Sequence, residues 1–187
     1  DAVGRSAGGN TAVARKAVTV ARDISTSLHE LSHRLHPTRL GLVGIVGAIE
    51  HLVTELSRGG APIAFTHDHV PTALPPDVML CLFRVAQEAL HNAVKYSHAK
   101  QVSVRLLGEP ETLTLTIVDD GMGFDVDGAW GLGLGLLSMA ERLETIRGSL
   151  DVRSTRGKGT RITAVVSVDG LETPGASSTD PAGIAAV

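Results

Sequence analysis

The chain has 187 residues, 43% of them hydrophobic, and a formal net charge of −3. It can therefore bury one sizeable core, and its charge gives no reason to expect a nucleic acid or an acidic membrane as partner. Aromatic residues make up only 3%, which argues against stacking platforms for bases. One cysteine, Cys81, excludes a disulfide framework, and no apolar run approaches the ~20 residues that span a bilayer. We expect a cytoplasmic domain, or the cytoplasmic part of a longer protein, without membrane contact of its own.

The N-terminal part is predicted to be helical after a loose start at residues 1–10, which are rich in Gly and Ala. From Thr11 to Leu35 apolar residues recur at nearly heptad spacing, so this helix should pair with another helix. His36-Pro37 should end or bend it. A second helix is expected from about Val43 to Ser57. The stripe of the first helix consists of Val13, Ala17, Val20, Ile24, Leu28, Leu31 and Leu35.

A longer helix is predicted from about Pro76 to Ser97. At about 100° per residue its apolar side chains gather on one side and should pack on a core. The other side carries Arg84, Glu88, Asn92 and Lys95. A carboxylate, an amide and an ammonium in this order could hold a metal ion and a polyphosphate. The same pattern also fits a solvated face with weak pairings. The apolar side consists of Leu82, Phe83, Ala86, Leu90, Ala93 and Val94.

Short strands and one more helix complete the pattern. Alternating apolar residues on both sides of the turn Gly108–Glu111 predict a hairpin, and residues 169–187, rich in Pro, Gly, Ala and Ser, should form a disordered tail. This order of elements predicts an α+β fold, a two-layer α/β sandwich with mostly antiparallel pairing, preceded by a helical segment. The remaining elements are strands at 62–67, 102–106, 113–117, 149–153 and 161–168 and a helix at 137–147.

Three glycine-bearing stretches follow the long helix. In Val118–Phe124 an acidic residue at a strand end could accept a hydrogen bond from an exocyclic amine, and the glycines would let a ring approach; a plain Asp-Gly turn is the alternative. Gly131–Leu136 runs into a helix, so its backbone amides could bind phosphate, or it could be a flexible loop. It fits neither the P-loop nor the Rossmann pattern. Gly157–Thr160 could be an ordinary hairpin turn.

The order and spacing of these stretches are more specific than any one of them. Glu88-x-x-x-Asn92, Asp119-x-Gly121-x-Gly123, Gly131–Leu136 and Gly157-x-Gly159-Thr160 together resemble the nucleotide-binding boxes of one superfamily. Its members are gyrase B subunits, the large heat-shock chaperone, MutL proteins and histidine kinases. The resemblance implies an ATP-binding α/β sandwich whose sheet is mixed and largely antiparallel.

The resemblance also implies a role for each matching residue. Asn92 would coordinate Mg²⁺, with Glu88 as a second magnesium ligand or proton-handling group, and Lys95 would face the phosphates. Gly133 and Gly135 would offer backbone amides to the phosphates. ATP and Mg²⁺ are thus the expected cofactors.

The residues expected to bind adenine lie in the other two glycine-bearing stretches. By the same resemblance Asp119 would accept the hydrogen bond of the adenine amino group, supported by Thr160 through a water. Gly121 and Gly123 belong to the same binding box.

Within the superfamily, two stretches look like sensor histidine kinases of the nitrate/nitrite-sensor type: Phe83–Tyr96 and Gly133–Arg142. Leu31–Leu40 matches the end of the second helix of that family's dimerisation and phosphotransfer hairpin, which assigns residues 11–36 to that helix and 37–168 to the ATP-binding domain. The family's phosphorylated histidine lies on the first helix, upstream of this helix. His29-Glu30 lies too near His36-Pro37 to leave room for a returning helix, so His29 is interpreted as a packed or solvated residue.

The sequence thus predicts the catalytic, ATP-binding part of a two-component histidine kinase acting on a histidine outside this chain. Its expected partners are the histidine-bearing helix of the same kinase, a response regulator and a second copy in a homodimer. Two alternatives remain: a serine kinase of the anti-sigma-factor type and a non-catalytic module that binds ATP. The helical stretch Thr11–Leu56 argues against the serine kinase, which has no need of such a stripe.

Overall fold

The computed structural model describes residues 37–58, 61–126 and 134–168. Contacts divide the chain into two units, Asp1–His36 and Pro37–Val187, and everything below concerns the second unit. The predicted stripe of residues 11–35, His29, residues 1–10, Gly133 and the tail at 169–187 lie outside the described residues. The elements are α1 Pro37–Ser57, β1 Ile63–Asp68, α2 Pro76–Tyr96, β2 Val102–Gly108, β3 Thr112–Asp119, α3 Leu134–Thr145, β4 Ser149–Ser154 and β5 Thr160–Ser167.

The strands form a five-stranded sheet in the order β1-β2-β3-β5-β4. β1 pairs with β2 in parallel, and the other three pairings are antiparallel. The hairpin of β2 and β3 turns at Glu109, whose N–H donates to the Thr112 carbonyl at 2.8 Å. The mixed, largely antiparallel sheet confirms the predicted α+β class.

One face of the sheet carries the core. Residues alternate between buried and partly exposed along β2, β3 and β5, as expected where only one face is covered. The helices form the second layer, since α1 contacts α2, α2 contacts α3, and each of them contacts the sheet. The buried apolar residues of these three strands are Val102, Val104, Leu106, Leu113, Leu115, Ile117, Ile162, Ala164 and Val166.

Helix α2 lies at the centre of the helical layer. It begins with Pro76 in its first turn, where a missing N–H costs nothing. Its buried arc is wider than predicted and includes Cys81, Val85 and Ala89, because α2 packs on the sheet and between two helices. Burial raises the pKa of the Cys81 thiol to about 11, although Arg142 opposes this shift. The thiol therefore stays protonated, in keeping with a structural role.

Helix α1 differs from the prediction, which placed its start near Val43. It begins at Pro37, because proline suits a first helical turn, and it is interrupted at Gly44, where φ is 69° and ψ is 176°. By length and hydropathy Leu40–Ser57 could cross a membrane. The run after the break measures about 20 Å, however, less than the ~30 Å hydrocarbon core. Ala48 and Ile49 in that run are fully buried, so α1 is a core helix of this domain.

Helix α3 also begins earlier than the predicted Leu137. Its first residue is Leu134, so Gly135 belongs to the first helical turn rather than to a loop. The predicted end was Arg147; the helix ends at Thr145, and the Gly148 N–H then donates to the Leu143 carbonyl at 2.8 Å. This bond closes the helix just before β4.

Candidate functional site

The polar residues of α2 bond to one another along the helix. Asn92 donates from Nδ2 to Oε1 of Glu88 at 3.2 Å, and Arg84 donates from Nη1 to Oε1 of Gln87 at 2.8 Å. Because a carboxylate can only accept, the bond to Glu88 uses the amide nitrogen and leaves the Asn92 oxygen as the atom for a cation. Both Glu88 and Asn92 are half-buried. They therefore lie at the edge of a packed surface rather than on a fully solvated face.

The fourth residue of this face, Lys95, lies near the end of α2. Its side chain is exposed, and Nζ lies 5.1 Å from the centroid of the Tyr96 ring. Such a distance gives a cation–π attraction. Lys95 would have to leave this ring to reach a phosphate.

The first turn of α3 lies against the Glu88–Asn92 pair. A β-carbon added at Gly135 would overlap Oε1 of Glu88 and would come within 3.4 Å of Nδ2 of Asn92. Only a glycine lets the backbone approach this closely. The first turn of a helix has backbone N–H groups without helical partners. The structure thus brings together the carboxylate of Glu88, the amide of Asn92 and the start of α3 at Gly135, three residues that the resemblance assigned to the site.

Asp119 ends β3 and is only 7% exposed. Its Oδ1 accepts a hydrogen bond from the Gly121 N–H at 2.9 Å, and its carboxylate also bonds to the Thr160 hydroxyl. Burial raises its pKa, while the bonds from Gly121 and Thr160 oppose that shift. A buried carboxylate at a strand end is an acceptor suited to an amino group. Thr160 pairs with Asp119 in the sheet register, and its predicted support of the adenine contact through a water stays a prediction.

The side chain of the neighbouring Asp120 bonds to the backbone instead. It is exposed, and its Oδ1 accepts bonds from the N–H groups of Lys100 at 2.8 Å and Gln101 at 2.9 Å. These bonds lower its pKa. Asp120 therefore holds the connection that leads into β2.

The first and third glycine stretches pack on each other. Gly123 and Gly159 both have positive φ, 57° and 77°. A β-carbon at Gly123 would overlap the Thr155 carbonyl oxygen, and one at Gly159 would overlap that of Asp119. The Gly157 N–H donates to the Met122 carbonyl at 2.6 Å. The predicted hairpin turn at Gly157–Thr160 is thus also one wall of the Asp119 site.

Two serines of the site were missed by the sequence reading. Ser97, just after α2, accepts a bond at its carbonyl from the Met122 N–H at 2.7 Å, and Gly121 lies so close that a β-carbon there would overlap the same oxygen. Ser154, the last residue of β4, bonds through its hydroxyl to the Phe124 N–H at 2.9 Å and to Thr160 Oγ1 at 3.0 Å. The sequence offers only one signal for these two serines, which is that each is a polar residue at the end of a helix or strand.

The side chains of this site suit a magnesium ion that phosphates and waters also bind better than they suit a metal ion held by protein ligands alone. Among the described residues, no group of three or more His, Cys, Asp or Glu side chains could hold a metal ion. Magnesium is usually bound through one or two protein oxygens together with phosphates and waters. Glu88 and Asn92 supply oxygens of this kind. His51, His67, His69 and His98 are all exposed.

The residues of this site lie in a segment that matches a known protein family. Residues 79–170 match the family of histidine kinase-, DNA gyrase B- and HSP90-like ATPases. This segment is thus similar to the ATPase domains of that family. The matched segment contains every residue predicted for the site, from Glu88 to Thr160, whereas α1 and β1 precede it.

The chain is also similar to sensor histidine kinases of Bacillus subtilis (strain 168). LiaS is 34% identical over 149 residues, which are 80% of this chain and 41% of LiaS. ComP is 32% identical over 140 residues, which are 73% of this chain and 18% of ComP. The chain therefore spans less than half the length of either relative.

Solved structures share the fold of about two thirds of the chain. The histidine kinase domain of the blue-light activated histidine kinase EL346 from Erythrobacter litoralis has a TM-score of 0.52 at 20% identity, covering 65% of this chain and 63% of that one. Another structure of that kinase has a TM-score of 0.52 at 21% identity, with 64% and 39% covered. At this identity the likeness concerns the fold alone.

Proposed function

We propose that the chain is the ATP-binding catalytic part of a sensor histidine kinase, and that it holds Mg-ATP for phosphoryl transfer to a histidine outside the chain. One arrangement supports this most. Helix α2 carries the Glu88–Asn92 pair beside Gly135, and Ser97 at its end contacts the Gly121 turn next to Asp119. Asn92 and Ser97 are about 8 Å apart along the axis. The helix thus carries the proposed oxygen ligands for a phosphate-bound metal, and its C-terminal end contacts the turn beside the proposed base acceptor.

At the adenine end, Asp119 would accept the hydrogen bond of the amino group. Its bonds to Gly121 and Thr160 hold the carboxylate in one orientation, so it need not reorganise on binding. Gly121 and Gly123 would act indirectly, because the spaces at their missing β-carbons are filled by the backbones of Ser97 and Thr155, and this packing forms the wall beside Asp119.

At the phosphate end, Asn92 would bind magnesium through its amide oxygen, with Glu88 beside it. Backbone amides of the loop and first turn around Gly133 and Gly135 would bind phosphate oxygens, and Lys95 would swing from Tyr96 towards them. Bound magnesium would neutralise part of the phosphate charge. Phosphoryl transfer needs mainly positioning and charge neutralisation, which these residues can supply.

The finer proposals rest on the family resemblance and on the kinases to which the chain is similar. We assign residues 11–36 to the second helix of a dimerisation hairpin and 37–168 to the ATP-binding domain. The proposed partners are a second copy, the histidine-bearing helix of the same kinase and a response regulator. The proposed location is the cytoplasm, and the proposed branch is the nitrate/nitrite-sensor type. Sedimentation with and without residues 1–35 tests the dimer: a dimer that survives the deletion would contradict the assignment of the hairpin.

Labelled phosphate transfer tests the proposed activity. The chain is incubated with Mg-ATP labelled in the γ-phosphate and with the separately made histidine-bearing hairpin of the same kinase. We expect acid-labile label on the hairpin and none on this chain, with loss of transfer in Asn92→Ala. Acid-stable label on another protein would point instead to a serine kinase. ATP binding without any transfer would point to a binding module.

A further inference from the structure

The sheet has an outer face that none of the described helices covers. The helices lie on the opposite face, towards which the buried strand residues point. On the middle strand β3 the outward side chains are half-buried and all β-branched, and they give a flat surface with many methyl groups. These outward residues of β3 are Thr112, Thr114, Thr116 and Val118.

The charged residues of this face have an unusual composition. Arg105, Arg153 and Arg161 are exposed and lie at outward positions of β2, β4 and β5. The five described strands contain no lysine and no glutamate. Protein–protein interfaces are enriched in arginine and depleted of lysine and glutamate relative to the rest of the surface. The composition of the outer face therefore resembles that of an interface.

Two of the three arginines have no carboxylate partner among the described residues. Arg153 donates from Nε to Oδ2 of Asp151 at 2.8 Å, whereas Arg105 and Arg161 form no ion pair in this part of the chain. Arg161 also lies directly opposite Arg153 in the sheet register. Like charges in this position destabilise a sheet, so carboxylates from outside the sheet would stabilise this face.

The turn between β4 and β5 adds to the positive charge. Between Ser149 and Arg161 the chain has four basic residues and one acidic residue, although its formal net charge is −3. Two copies that met through this face would bring the same positive charges together. The net negative charge of the chain also opposes a general attraction to nucleic acids or anionic membranes. A protein partner with carboxylates fits the face better than any of these.

We propose that the outer sheet face is a docking surface for an acidic segment of a partner protein. Carboxylates of the segment pair with Arg105 and Arg161, and its backbone lies over the β-branched surface around Thr116. By the register, the Cα atoms of the two arginines are about 12 Å apart, which carboxylates four residues apart on an extended segment can span. The fork of an arginine suits such a carboxylate.

The test uses a labelled peptide with glutamate at every second position, because alternate side chains of an extended peptide lie on one side. Its affinity for the whole chain is measured by fluorescence anisotropy. We expect binding that weakens as salt is added and that falls about 3- to 30-fold in the double variant Arg105→Gln, Arg161→Gln. The double variant Arg105→Lys, Arg161→Lys should keep most of the affinity, since it keeps the charge.

A matched control removes two positive charges elsewhere. In Arg58→Gln, Lys100→Gln the exposed cations lie outside the sheet, so the affinity should stay unchanged. An equal loss in this control, or no loss in the arginine variant, would overturn the proposal. So would a lack of binding by the unmodified chain, or displacement of the peptide by Mg-ATP, which would place it at the nucleotide site.

Two further probes separate the peptide from other anions. A peptide with glutamine in place of glutamate should not bind, because it lacks the carboxylates. Vesicles that contain phosphatidylserine and a single-stranded polynucleotide should compete poorly with the glutamate peptide. Stronger binding of either one, lost in Arg105→Gln, Arg161→Gln, would assign the face to a membrane or a nucleic acid and overturn the proposed protein partner.

Discussion

Gly135 and Glu88 lie so close that a single β-carbon on Gly135 would overlap Oε1 of the glutamate. The contact joins the first turn of α3 to the polar face of α2. The overlapped atom is the end of a flexible side chain, so the glutamate can move aside without unfolding the domain. Its bond from Asn92 would then be lost. This contact therefore connects the glycine loop to the proposed magnesium ligands.

Gly135→Ala should fold and yet bind Mg-ATP about 10- to 100-fold more weakly, as expected when a group that supports a metal ligand is displaced. The measurement is calorimetry with excess magnesium, together with urea unfolding. Gly41→Ala is the control, since Gly41 is also helical but has open space around its β-carbon position. Full affinity in Gly135→Ala would mean that the position of Glu88 does not matter for binding.

Asn92→Ala should weaken Mg-ATP binding by about 10- to 100-fold, because it removes the proposed oxygen ligand. The difference from the unmodified chain should vanish in EDTA, where no magnesium is bound. Gln87→Ala on the same helix is the control, because Gln87 bonds to Arg84 and not to the proposed ligands. Unchanged Mg-ATP affinity in Asn92→Ala would remove the metal role of this residue.

Local patterns were sufficient for much of the fold. The alternation in β2 and β3 around Gly108–Glu111 and the helical periodicity of α2 each specify an element through neighbouring residues. The alternation of β3 also indicates that the strand ends near Asp119. The break at Gly44 was not predicted, since a glycine in a helical stretch is compatible with both a continuous and an interrupted helix.

Contacts that depend on register could not be predicted in the same way. Ser154 became part of the site because β4 pairs with β5 in one register, which sets it opposite Thr160. The spacing along the chain carries no information about that register. Ser97 likewise matters through its contact with the Gly121 turn, which is distant in sequence.

Because folding raises the pKa of Asp119, the stability of the nucleotide-free protein should depend on pH. The folded protein holds this proton more tightly than the unfolded chain, so the carboxyl contributes most to stability below its ordinary pKa of 3.8. That contribution is lost as pH rises through the folded-state value. Asp119→Asn should therefore be at least as stable as the unmodified chain at pH about 7, with the difference shrinking towards pH about 4. Urea unfolding at both pH values measures this; a variant that is less stable at neutral pH and gains as pH falls would contradict the direction of the shift.

The most direct test of the nucleotide site is the affinity of the chain for Mg-ATP and Mg-GTP, before and after Asp119→Asn. The carboxylate would pair with the adenine amino group but would face the guanine carbonyl, so the chain should prefer ATP. Asp119→Asn should weaken ATP binding by roughly 10- to 150-fold, the loss of a charge-assisted hydrogen bond. Asp120→Asn should change it little, because Asp120 bonds to the backbone of Lys100 and Gln101. If the Asp120 change abolishes binding while the Asp119 change does not, or if neither matters, the adenine site is not at Asp119.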